Sequence, residues 1–150
     1  VDTGVIVKLY IKEAFSQDVS NWIRANNEAI PLTLFHDLEF NNAIQFKRFR
    51  SEITSEEANS IASKREEHEK KGRYYRPSMN WTDMFQCAID LSQKHTRAIG
   101  SRSLDIIHIA SALTMKADRF LTLDEKQMQL AHLVGLIIEN ACNKRNSQNQ

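Results

Sequence analysis

Cysteine is scarce in this sequence. Cys87 and Cys142 are the two among 150 residues, and they form neither a disulfide framework nor a CxxC element. Both read as buried or incidental thiols suited to a reducing interior. Long apolar runs are missing as well: none approaches the roughly 18 residues a membrane span requires. No signal-peptide pattern is present. The expectation is a soluble, cytoplasmic protein with no membrane association. Charge of one sign is also absent, with 20 Lys and Arg against 19 Asp and Glu. No uniform field surrounds such a molecule, so any nucleic-acid binding has to come from a local patch. Internal repeats and linkers are lacking too, which leaves one domain over 1–142 and a polar, flexible tail at 143–150.

What is present begins with residues 103–113, SLDIIHIASAL, where one acid is set into an apolar run. Ile106, Ile109, Ala110 and Leu113 recur at helical spacing, and Ile107 adds apolar surface on another side. The stretch predicts a helix largely enclosed by protein. A carboxylate in the first turn of such a helix needs a reason, because a buried charge is costly unless paired or metal-bound. Asp105 has two: favourable interaction with the helix dipole, or a ligand role.

Around this stretch the pattern alternates short strands with helices. A first strand is expected to end near Asp2, its beginning lying before Val1; residues 3–10 can then start a helix, with Val5, Val7 and Leu9 keeping strand as a competing reading. Ser16 is placed to cap a helix over 17–27. Residues 29–31 suit a strand, and 34–50 a long helix with apolar positions at 35, 38, 43, 46 and 49. Thr54 and Glu57 form a capping-box pair; the helix they open carries a mixed-charge run that reads as a solvated face, and Gly72 stops it. Residues 73–76, RYYR, suggest a strand whose two tyrosines face opposite ways. Asn80 caps a helix reaching His95, and strands are expected at 118–123 and 136–138 around a helix at 126–133. These connections favour a three-layer α/β/α fold with a short parallel central sheet and dominant helices. Sites in such folds gather at the carboxyl ends of the strands.

Asp2 and Asp124 sit at expected strand ends, Asp105 at a helix start, and Glu39 one turn into the long helix. Alone, each has an ordinary explanation as a cap, a turn residue or a solvent-facing acid. Converging, they would repel unless a cation stood among them. Oxygen-only ligation suits Mg²⁺ or Mn²⁺, the ions of phosphoryl chemistry. His108 reads either as a contact to that site or as a satisfied core histidine, and Arg102 as a partner for Asp105 or for phosphate. His36, His68, His95 and His132 show no zinc spacing.

The chain resembles the PIN domain family of nucleases, most closely its small stand-alone bacterial toxins, the VapC proteins. The opening VDTGVIVKLY is similar to the family's first acidic motif, LFHDLEFNNAI to the second, RSLDIIHIASAL to the third and FLTLDEKQMQLAHLVGL to the last. The resemblance spans nearly the whole chain. It implies that Asp2, Glu39, Asp105 and Asp124 are catalytic residues holding one or two Mg²⁺ or Mn²⁺ ions, with Thr122 and His108 beside them. It implies hydrolysis of a structured RNA, often transfer or ribosomal RNA, a cognate antitoxin, and a homodimer. Gly4 departs from the family's usual Ser or Thr and removes a hydroxyl near Asp2. That departure sustains an alternative, an inert PIN-like module that binds RNA or protein. A Mg²⁺-dependent small-molecule phosphatase fits less well, because such enzymes carry a second acid two positions after the first Asp, where this chain has Gly4.

Overall fold

The computed structural model describes residues 1–142, so the tail expected at 143–150 lies outside the described residues. Helices α1 (Thr3–Val7), α2 (Ser16–Asn26), α3 (Leu34–Phe49), α4 (Ser55–Lys70), α5 (Trp81–Ile99), α6 (Ser103–Thr114) and α7 (Glu125–Leu133) dominate. Strands β1 (Ile30–Pro31), β2 (Tyr74–Tyr75), β3 (Arg119–Leu121) and β4 (Ile137–Glu139) are each two or three residues long. The class is α/β with helices dominant. Contacts gather the chain into two compact units, one of Thr3–Pro77 and one of Val1–Asp2 with Ser78–Gln150. Among the described residues no helix is long and apolar enough to cross a membrane.

The single central sheet expected from the sequence is replaced by two separate two-stranded parallel sheets, β1–β2 in one unit and β3–β4 in the other. Part of the reason is Pro31. Ile30 and Leu32 donate to Arg73 O and Tyr75 O, both at 2.9 Å, which uses one edge of β1. The residue between them has no N–H to offer the opposite edge, so β1 cannot serve as a central strand.

In the unit of Thr3–Pro77, α1 packs on α3, α3 on α4, and α4 on β2. Helix α3 buries His36, Phe40 and Ile44 at four-residue spacing. The expected stripe at 35, 38, 43, 46 and 49 points elsewhere: Leu38 is 66% and Phe49 82% exposed. Two apolar series were available on one helix, and packing selected the other. The capping box at α4 forms as the sequence predicts, with Glu57 N donating to Thr54 Oγ1 and Thr54 N to Glu57 Oε2. At its far end Gly72 adopts φ +74°, and Arg73 N reaches His68 O at 3.0 Å, the six-to-one bond of a Schellman close. Ser16 begins α2 instead of capping it; its hydroxyl is already donating to Ile11 O. Tyr74 is buried with its hydroxyl 2.8 Å from that of Tyr10, while Tyr75 is exposed, as strand alternation requires.

The charged run along α4 does more than face solvent. Arg65 and Arg76 both donate to the Asp37 carboxylate, and Arg76 Nε also donates to Glu69 at 2.7 Å. Burial raises the cost of ionising Asp37, but the hydrogen bonds from Arg76 and Arg65 outweigh it and hold its carboxyl below the usual range.

In the other unit, α5 packs extensively on α6, and α7 connects the parallel pair β3 and β4. Asn80 caps α5 by accepting from Thr82 N and Asp83 N. The helix runs on past His95 to Ile99, where Gly100 at φ +72° ends it. Met84, Leu91, Ile106, Ile109, Phe120 and Leu130 form the centre of a continuous apolar core.

Ile109 is fully buried in that core, so Ile109→Ala should cost about 2–5 kcal/mol in urea unfolding. Asp37 supplies a second expectation. Its depressed native pKa contributes stability that is present above the ordinary carboxylate range and lost as pH falls through the native value. Unfolding of wild type and Asp37→Asn between about pH 6 and 2 should show a shallower acid-side loss in the variant.

Candidate functional site

The site is organised by the turn between α5 and α6. Gly100 stops the first helix, and Arg102, in extended conformation, precedes the first residue of the second. That places Asp105 three residues into α6, where its Oδ2 accepts from Arg102 N at 2.9 Å. The helix-start explanation for Asp105 therefore holds for one oxygen. The other, Oδ1, accepts from the side-chain amide of Gln127 at 3.1 Å. Beyond Asp105 the helix buries Ile106, His108, Ile109, Ala110, Ser111 and Ala112, which makes it a rigid platform.

Asp2 arrives from the other side. Its N–H donates to Leu121 O at 2.9 Å, fixing it beside the end of β3 in the manner of a short added strand. Its Oδ1 lies 3.4 Å from the same Gln127 Nε2 and 3.6 Å from His108 Nε2. The second distance exceeds a hydrogen bond, so buried His108 stands against Asp2 as a neighbour. It is both a core residue and a wall of the site.

The strand expected at 118–123 is shorter in the structure: β3 ends at Leu121, and Asp124 lies three residues beyond it. Fully buried Thr122 accepts from Asp124 N through its hydroxyl at 3.0 Å, and Asp124 Oδ1 accepts from Gln127 N at 2.9 Å. Asp124 is thus the N-cap of α7. It remains exposed, and with Asp105, Arg102, Leu123, Glu125 and Lys126 it lines a cleft of about 410 Å³. Arg102 meets Asp105 through its main-chain N–H and is one of the residues lining the cleft. Glu39 belongs to the unit of Thr3–Pro77, where it accepts from Thr3 Oγ1 at 2.6 Å.

Of the expected acids, Asp2 and Asp105 meet at one amide, and Asp105 and Asp124 share one cleft. Among the described residues no group of three or more His, Cys, Asp or Glu side chains is arranged to hold a metal ion. Mg²⁺ and Mn²⁺ can be held by as few as one or two protein carboxylates together with several waters. Among the described residues no Lys or Arg side chain pairs with Asp2 or Asp105, and the His108 imidazole stands 3.6 Å from Asp2.

Gln127 is the residue that sequence reasoning passed over. It sits three positions after Asp124, where a capping box favours Gln, and that spacing was the available signal. Its side chain does not return to the cap. It crosses to Asp2 and Asp105 instead, a choice made by tertiary packing. Comparison with known protein families finds no match, and neither does comparison with curated proteins.

The cap role of Asp124 can be separated from its charge. Asp124→Ala should lower stability by about 1 kcal/mol, whereas Asp124→Asn, an equally good cap, should leave it within a few tenths. Paired urea titrations check this.

Proposed function

We propose that the protein is a divalent-metal-dependent endoribonuclease of PIN type, acting in the cytoplasm as the toxin of a toxin–antitoxin pair. The observation that carries this reading is the convergence of Asp2 and Asp105, remote in sequence, on a single buried amide with no Lys or Arg paired to either among the described residues. Two carboxylates brought to one amide without a Lys or Arg partner are ligands that a hard divalent cation can take.

Asp2 and Asp105 would hold the ion from the end of β3 and the start of α6, beside the cleft that Asp124 lines; a part for Glu39 rests on the resemblance alone. Bound Mg²⁺ or Mn²⁺ supplies an activated water and neutralises charge on the scissile phosphate. The chain's own residues do the positioning. Thr122 holds the main chain at Asp124, Arg102 N–H orients Asp105, and buried His108 limits the space into which Asp2 can turn. Arg102, exposed at this cleft, would meet an RNA phosphate. Because the 2′-hydroxyl is not the nucleophile, the products carry a 5′-phosphate and a 3′-hydroxyl. Transfer or ribosomal RNA as substrate, a cognate antitoxin and a homodimer are parts of the same proposal, and they rest on the resemblance alone.

Cleavage of labelled single-stranded and transfer RNA in Mn²⁺ tests it. Asp105→Asn and Asp2→Asn should each lose activity on the order of 100-fold, the scale for removing one preorganised electrostatic group. Equal cleavage by wild type and Asp105→Asn would overturn the assignment.

A further inference from the structure

Gln127 has an arrangement that capping does not explain. Its N–H is held by Asp124 Oδ1 at the first turn of α7, so its backbone is fixed. Its side chain is 3% exposed. The Nε2 group donates towards both Asp2 Oδ1 and Asp105 Oδ1, using the two hydrogens of one amide for two carboxylates. The other end of the same amide, Oε1, is buried with no hydrogen-bond partner among the described residues. A buried acceptor left in that state is unfavourable. The amide nonetheless has to present its nitrogen to the acids, because the reverse orientation would set three acceptors against one another.

We propose that Gln127 is a two-position latch on the acidic pair. With no cation present, its NH₂ group bridges Asp2 and Asp105 and offsets their repulsion. When a divalent cation enters between the carboxylates, the electrostatic preference reverses: the NH₂ group is repelled and Oε1 is attracted. The terminal amide turns about its last torsion, which is broad and roughly two-fold, and delivers Oε1 to the ion as a further oxygen. Nitrogen and oxygen exchange places in nearly the same volume, so no repacking of α7 is needed. The orphaned oxygen of the bridging position becomes the ligand of the other, and the differential interaction of the cation with the two amide positions drives the shift. Gln127 is on this account a positioning residue. The inference rests on the reading of Asp2 and Asp105 as a cation site, and it adds what holds that site before the ion arrives.

Side-chain amide ¹H–¹⁵N spectra of the full chain report on the latch directly. The Gln127 NH₂ signals are identified by their loss in Gln127→Glu, or in Gln127→Met where the Glu variant does not fold. On titration with Mg²⁺ these signals should shift in wild type and stay in place in Asp105→Asn. Gln127→Glu, which keeps an oxygen and loses the competing donor, should bind Mn²⁺ at least about tenfold more tightly than wild type. Main-chain signals of Asp2 and Asp105 that respond to Mg²⁺ while the Gln127 signals stay still would overturn the latch and leave the ribonuclease reading standing. Equal Mn²⁺ affinity in wild type and Gln127→Glu would do the same. No Asp105-dependent response to either ion, in wild type and Gln127→Glu alike, would overturn both.

Discussion

A carboxylate near the start of a buried helix is tolerated only where both of its oxygens are given partners. Asp105 meets that condition by dividing its oxygens, one to the main chain of Arg102 and one to the amide of Gln127. Much of the surrounding unit follows from this division. The turn at Gly100 has to present Arg102 N–H, and Asp124 has to cap α7 so that Gln127 enters at the right height. The end of β3 has to bring Asp2 to the same amide. The apolar length of α6, packed against α5, keeps these pieces in register.

The protein treats its acids in two ways, and the contrast gives the site its meaning. Asp37, in the unit of Thr3–Pro77, is met by two guanidinium groups and held ionised by them. Its charge is neutralised inside the structure and serves stability. Asp2 and Asp105 are met by a neutral amide, which satisfies hydrogen bonding without cancelling charge. A nearly neutral chain with abundant Lys and Arg could have paired them. Leaving two acids together without a Lys or Arg partner, the His108 imidazole standing 3.6 Å from one of them, concentrates acidic groups at the start of α6.

Local chemistry was well legible in the sequence. The box at Thr54 and Glu57, the stop at Gly72, the cap at Asn80, the opposed tyrosines 74 and 75, and the enclosed helix around Asp105 all depend on residues within a few positions of one another. Such features are decided by backbone geometry and nearest partners, which spacing encodes. The strand before Asp124 was legible too, though it ends at Leu121, short of the expected 123.

Tertiary structure alone decided the rest. Helix α3 offers more than one apolar series, and only its packing partners chose Phe40 and Ile44 over Leu38 and Phe49. The strands are too short to announce their neighbours, so their division into two sheets became visible only in the pairing. Sequence periodicity says which residues share a face and cannot say what that face meets. For the same reason the acids at 2 and 105 were nameable from the sequence, while the glutamine that joins them was not. Its role depends on a contact between residues far apart in the chain, and such contacts are set by packing of the whole unit.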